Sequence, residues 1–305
     1  MHKHVDSVFP DDDGTPRPSS WSQDRRLKFI DFRLRWEGRI NRSDLVEFFD
    51  ISMPQASMDV SKYSEAAPQN LSYDARIKSY VRTANFMPLF ARSGTRTYLN
   101  ELQALETKIM EPKSSFVGWK PDLGIVPLPS RNVDGKMLST LLQAIRDGRK
   151  VFTLYQGMVR PEPVERTISP HAFAFDGMRW HVRAYCHLRE DFRDFVIARL
   201  TTLQVGEATN ISKDADTQWN TLLQLVIAAH PSLPQQARKA IQLDYGMKDG
   251  ITKFECRHAL LFYALRRLRL ETPEDAANAA QQQIVLLNRA ELQPFIDQLQ
   301  TKKTV

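Results

Sequence analysis

An α+β chain of more than one domain is what the sequence predicts, and three observations predict it. Helix-period segments come first, a run of short strand-like segments follows, and mixed helix and strand patterning closes the chain. A Pro-rich stretch, EPKSSFVGWKPDLGIVPLPS, breaks the pattern at residues 111–130. The chain has 305 residues, 42% of them hydrophobic and 26% charged, which is enough for two or three separate cores.

Residues 1–20 combine Pro, Ser and Gly with the acidic run Asp11, Asp12, Asp13, and are expected to be a floppy tail in which His2 and His4 are solvated. In WSQDRRLKFIDFRLRWEG, Ser22 is placed to cap a helix whose Leu27, Ile30 and Leu34 recur at three and four residues, with Gly38 ending it. NRSDLVEFFD gives a second, short helix capped by Asn41 or Ser43, with Leu45, Phe48 and Phe49 inward. In DISMPQASMDVSKYSEA, Ser52 and Gln55 suit a capping box, Pro54 suits the first turn, and Ala56, Val60 and Tyr63 form one apolar stripe. NLSYDARIKSYVR then reads as a hairpin, with runs at 70–73 and 77–82 around Asp74, Ala75 and Arg76. Three helices and a hairpin are the order of a winged helix-turn-helix, assigned to residues 21–94.

Residues 96–110 read as a linking helix with Tyr98, Leu102, Leu105 and Ile109 in phase, so that 95–130 forms a connection. A helix over 137–145 leads to the Asp147-Gly148 turn. Between Lys150 and Glu207 follow VFTLY, VERTISP, AFAFDG, RWHVRAYC, RDFVIAR and LQVGEA, spaced by turns as in a small antiparallel sheet or partial barrel over 131–208. In RWHVRAYC, Trp180, Val182, Ala184 and Cys186 share the parity expected to be dry, and His181, Arg183 and Tyr185 the other. Residues 209–305 form a last α/β unit: WNTLLQLVIAAHP reads as a buried strand, LPQQARKAIQLDYG and ECRHALLFYALRRLRLE as helices. On the latter, Leu260, Leu261, Ala264, Leu265 and Leu268 make an apolar face that serves either the monomer core or a dimer seam.

Composition bounds the function. Lys and Arg number 42 against 36 Asp and Glu, a mildly basic +6 that points only weakly to a polyanionic partner. Cys186 and Cys256 show neither Cys-x-x-Cys nor paired histidine spacing, which speaks against a disulfide framework or a zinc site and fits a reducing compartment. No run of about 18 apolar residues occurs, and the first twenty residues hold no segment of signal-peptide type, so a cytoplasmic protein without a membrane is expected. Neither a glycine-rich phosphate cradle, nor a His-Glu-x-x-His pair, nor a Gly-x-Ser-x-Gly elbow is present; an enzyme is not expected, nor is a cofactor or metal.

The order of a winged helix, then YQG…VERTISPHAFAFDGMRWHVRAYCHLREDFRDFVIARL, then DYGMKDG and HALLFYALRRLRLE, resembles the WYL-domain transcriptional regulators of bacteria. It looks most like the subgroup beside anti-phage defence operons of BREX and CBASS type, and the similarity covers nearly all of the chain after the tail. One departure stands at the triplet that names the domain, where Trp180-His181-Val182 replaces Trp-Tyr-Leu, so an imidazole stands where the family has a phenol. The resemblance implies a homodimeric regulator. Its winged helix would read a double-stranded operator with an inverted repeat, its Sm-like WYL unit would sense a nucleic-acid-like or small anionic effector, and its C-terminal α/β unit would dimerise.

The candidate residues follow from both readings. On the third helix the apolar stripe leaves Gln55, Ser57, Met58, Ser61 and Lys62 outward, where amides and hydroxyls can bond base edges and the lysine a phosphate. Arg76 and Lys78 at the hairpin are candidates for phosphate contacts. In the middle unit Tyr155, Arg166, His171, His181, Arg183, Tyr185, Arg189 and Arg199 gather cations and rings that suit a phosphate-and-base ligand. The alternative for these is a salt-bridged surface with Glu165, Glu190, Asp191 and Asp194. The expected function is a ligand-responsive regulator, acting as a repressor of a phage-defence operon; the alternative is a nucleic-acid-binding accessory factor without promoter specificity.

Overall fold

A computed structural model describes residues 18–90, 94–129, 131–273 and 279–301. The expected tail therefore lies outside the described residues up to position 17, and its last three residues are already helical. The chain divides into two compact units, residues 1–128 and 129–305, and it is α+β throughout.

In the first unit α1 (Pro18–Glu37) runs through Ser22, which is an interior helix residue and not the cap that its side chain suggested. Gly38 ends the helix with φ of 76°, a left-handed conformation that a side chain would strain. A two-residue strand that the sequence did not reveal, β1 (Arg39–Ile40), leads to α2 (Arg42–Phe49). There Asn41 accepts the Asp44 amide and the Asp44 carboxylate accepts that of Asn41, a reciprocal box. Before α3 (Met53–Ala66), Ser52 Oγ accepts the Gln55 amide at 3.3 Å. The expected return bond from Gln55 is absent, because its side chain turns one helical turn onward to Asp59. Ala56, Val60 and Tyr63 pack with Phe29, Ile30, Leu34, Ile40 and Leu45 into one core.

β2 (Leu71–Asp74) and β3 (Ser79–Arg82) form the hairpin, with β3 in the middle of the order β1-β3-β2. The turn spans residues 75–78 and is longer than expected, with Lys78 in the left-handed region at φ 51°. α4 (Thr95–Glu106) stops short of the expected 110 because Lys108 takes a positive φ of 57°. The Pro-rich stretch returns to this unit: Phe116 packs edge-on against Phe29 at 5.3 Å, and Glu37 accepts the Gly118 amide at 2.7 Å.

The second unit opens with α5 (Gly135–Arg146), capped by Asp134, which covers one face of an antiparallel sheet. Its strands are β4 (Arg149–Tyr155), β5 (Val164–Phe175), β6 (Trp180–Cys186), β7 (Asp191–Val196) and β8 (Leu200–Ala208), in the order β7-β6-β5-β4-β8. VERTISP and AFAFDG are a single strand whose register shifts between Pro170 and Ala172, around His171. Val182, Ala184 and Cys186 lie in the core with Leu141, Val151 and Ile168, as parity demanded.

Trp180 corrects the expectation. It begins the strand beside the turn that closes the β5–β6 hairpin, is 51% exposed, and rests on Phe175 at 4.9 Å, so it does not anchor the core. The opposite parity is corrected as well. His181 and Arg183 are only 2% and 3% exposed, because later segments of the same unit cover that face.

Those segments are α6 (Thr217–Asn220) and α8 (Leu261–Arg267). They accompany a three-stranded antiparallel sheet of β9 (Leu222–Ala229), β10 (Ile251–Arg257) and β11 (Ile284–Leu286), with β9 central. α7 (Gln235–Asp244) and α9 (Arg289–Thr301) complete the unit. The helix expected across ECRHALLFYALRRLRLE is shorter, since Glu255, Cys256 and Arg257 pair with Gln224, Leu223 and Leu222 as strand. Leu261 and Leu265 belong to the core of the monomer.

Candidate functional site

Two features have the chemistry to bind polyanions, one in each unit. In the first, α3 presents Met58, Ser61 and Lys62 to solvent beside half-buried Gln55 and Ser57. Not all of these side chains are free to read bases. The Gln55 amide donates to both carboxylate oxygens of Asp59 at 3.2 Å, so bonding a base would require leaving that carboxylate. Asp59 is fully buried and also takes the Arg26 Nε at 2.6 Å and the Gln23 amide at 3.3 Å. Ser57 Oγ donates to the Met53 carbonyl and accepts from Arg42 at 3.3 Å. Lys62 Nζ donates to Gln23 at 3.1 Å on an exposed edge. At the hairpin Lys78 is exposed on the turn, and Arg76, its side chain 90% exposed, pairs with Asp74 at 3.2 Å. Sequence reading passed over Arg42, an exposed arginine at the first position of α2 that reaches Ser57 on α3; its place just behind the Asn41 cap was the available signal.

The helix is held against its neighbours by a buried polar network. Tyr63 donates to Asp31 at 2.6 Å, Asn70 donates to Tyr63 at 3.0 Å, and Asp31 accepts the Leu89 amide at 3.0 Å. Burial raises the Asp31 carboxyl above its ordinary value, against the pull of these hydrogen bonds.

The second feature is a cleft of about 450 Å³ in the second unit, between β4 to β7, the 157–160 loop and α8. Arg160, Arg166, Arg189 and Arg193 line it, together with Tyr155, Phe192, Phe262 and Tyr263. Burial, with Arg189, Arg160 and Arg193 adding like charge, lowers the Arg166 guanidinium although Cys186 opposes it. Among the described residues no carboxylate forms an ion pair with Arg160, Arg166 or Arg189, while Arg193 stands 3.9 Å from Asp191. Guanidinium groups gathered beside aromatic rings can hold phosphates and stack bases.

Of the eight sequence candidates, Tyr155, Arg166, Arg183 and Arg189 line this cleft. The other four lie apart from its lining. His171 bonds Asp216 at 2.9 Å, His181 packs on Tyr263 at 5.0 Å, Tyr185 packs on Phe192 at 5.3 Å, and Arg199 sits in the turn between β7 and β8.

Arg183 is fully paired: Nε and Nη2 reach the two oxygens of Asp216 at 2.7 and 2.9 Å, and Nη1 reaches Asp194 at 3.2 Å. Burial alone would raise the Asp216 carboxyl, but bonds from Arg183 and then His171 hold it well below the usual carboxylate range. Asp216 also caps α6 through the Trp219 amide. Sequence reading missed Asp216, Arg160 and Arg193. The described residues hold no cluster of His, Cys, Asp or Glu that could bind a metal, and no helix long and apolar enough to cross a membrane.

Three family models match along the chain: the BrxR transcriptional regulator winged helix-turn-helix domain at residues 22–104, the WYL domain at 136–205, and the BrxR transcriptional regulator C-terminal dimerization domain at 222–292. The chain is 47% identical to the DNA-binding transcriptional repressor CapW of Stenotrophomonas maltophilia over 277 residues, covering 90% of this chain and 93% of the relative. It is 40% identical to that of Escherichia coli (strain KTE188), covering 91% and 93%, and 41% identical to that of Pseudomonas aeruginosa, covering 90% and 92%. These are regulators rather than enzymes, and the chain belongs to the CapW family of winged-helix, WYL-domain transcriptional repressors.

Proposed function

We infer that this chain represses transcription by binding, as a homodimer, an inverted repeat in the control region of an anti-phage defence operon, and that an anionic, nucleic-acid-like effector in the arginine cleft relieves the repression. The observation that carries the DNA-binding half is α3, packed on its apolar stripe and presenting Met58, Ser61 and Lys62, in the same unit as a hairpin tipped with Arg76 and Lys78. An α-helix fits the major groove, and a basic hairpin beside it supplies phosphate contacts. The match to a dimerization domain supports two copies, and a two-fold dimer on DNA reads two equivalent half-sites. The arginines of the cleft that lack carboxylate partners support an anionic effector, since a gathered set of cations with no counter-charge is stabilised by an anion. The resemblance to regulators of BREX and CBASS type supports a defence operon as the target.

The test is a footprint on the DNA upstream of the gene, with and without extract from phage-infected cells. Two protected half-sites that are lost on adding infected extract are expected. Uniform, sequence-independent protection would replace this reading with a non-specific accessory factor.

A further inference from the structure

An ion pair stands among the lining residues of the arginine cleft. Arg183 and Asp194 both line it, opposite each other in the β6–β7 register, and are joined by a single bond of 3.2 Å. The two ends of this pair differ in how they are held. Arg183 keeps its bidentate grip on Asp216 through Nε and Nη2, and leaves only Nη1 to Asp194. Asp194 accepts one further bond, from the Tyr263 hydroxyl at 3.3 Å, and Tyr263 belongs to α8. The Tyr263 ring in turn covers His181 at 5.0 Å. One guanidinium thus faces two carboxylates, and the pair it forms with Asp194 lines the same cleft as Arg166, Arg189 and Arg193.

We propose that Asp194 is a built-in competitor for the effector: an anion entering the cleft takes Nη1 of Arg183 from Asp194, and the displaced carboxylate passes the event to α8 through Tyr263. A carboxylate that is 11% exposed and has lost its cation is costly to leave in place. Its relief is a shift of Asp194 together with the helix that donates to it, while Arg183 stays fixed on Asp216. Occupation of the cleft is thereby converted into rearrangement of the C-terminal segment, because a ligand moves an equilibrium only through contacts that differ between its two states. This inference rests on the effector reading above.

The test measures binding of a 5′-phosphorylated thymidine dinucleotide to the full chain by calorimetry, with hydrogen exchange read over residues 258–267. Three proteins are compared: wild type, Asp194→Asn, and Glu190→Gln as a control that also removes one negative charge near the cleft, from an exposed side chain that does not touch Arg183. Asp194→Asn retains an oxygen for the Tyr263 hydroxyl and is expected to bind the dinucleotide about fivefold or more tighter than wild type, with Glu190→Gln changing less than twofold. In wild type the dinucleotide should speed exchange in α8, whereas in Asp194→Asn, which keeps the Tyr263 bond and has no charge to displace, exchange should stay slow with or without it. Equal tightening by both variants would reduce the effect to general electrostatics and overturn the proposal. So would unchanged exchange in α8 on binding to wild type. Failure of wild type to bind the dinucleotide at all would sink the effector reading itself, and the competitor with it.

Discussion

At the scale of single residues, Asp216 is where the second unit concentrates its buried charge. It takes two bonds from Arg183 and one from His171 and caps α6, and its side chain is 1% exposed. Removing one partner of such a pair leaves the other buried and unpaired, so Asp216→Ala should cost about 3 to 5 kcal/mol in denaturant unfolding. Its carboxyl is held below the ordinary aspartate range in the folded state, so the folded protein binds fewer protons than the unfolded chain. That contribution is fully present above the ordinary value, about pH 4, and is lost as pH falls from there towards the depressed folded value. Melting temperatures of wild type should therefore drop more steeply below that pH than those of Asp216→Asn; parallel curves would remove Asp216 from the account. Trp180 makes the opposite case. Half-exposed and resting on Phe175, it should cost no more than about 1.5 kcal/mol as Trp180→Ala. Ile168→Ala, in the fully buried layer below, should cost about 2 to 5 kcal/mol. A larger loss at Trp180 than at Ile168 would extend the core to the turn end of β6 and contradict the exposed position of Trp180.

At the scale of elements, β6 shows how far sequence reaches. Alternation separated Val182, Ala184 and Cys186 from His181 and Arg183, and the separation holds in the sheet. Alternation cannot say what lies on the second face. The cover comes from Asp216 and Tyr263, far along the chain, and a buried arginine has the same letter as a solvated one. The helices of the first unit were legible because caps and apolar stripes are local. Two departures there have one cause, a polar side chain spent inside the protein: Gln55 serves Asp59 rather than the cap, and Asp59 is an inward carboxylate on a stripe otherwise apolar. In the cleft, Arg166 and Arg189 were legible as cations near rings. Arg160 and Arg193 became cleft residues only when the 157–160 loop and β7 folded over it. The first unit carries a prediction that draws on α2, α3 and the hairpin together. Lys78→Ala and Arg42→Ala should weaken binding to every duplex alike and each lower the salt slope by about one. Ser61→Ala should instead act at particular base pairs, at about 1 to 3 kcal/mol. Uniform behaviour of all three variants in a salt titration would contradict the division between phosphate and base contacts.

At the scale of the whole molecule, one unit carries the matched winged helix-turn-helix domain and the other carries both the arginine cleft and the matched dimerization domain. A single winged helix contacts few base pairs, so selectivity in a genome requires two copies on two half-sites. Light scattering should give twice the chain mass at micromolar concentration, and a monomer that forms a one-to-one complex with the duplex would refute the dimer. Sequence-specific DNA binding by this chain is tested by fluorescence anisotropy of the upstream inverted-repeat duplex against a scrambled duplex of equal length, titrated at a series of salt concentrations. Affinity for the inverted repeat is expected to be about a thousandfold or more above that for the scrambled sequence at physiological salt, with the preference persisting as both weaken with salt. Equal affinities that fall together as salt rises would contradict it.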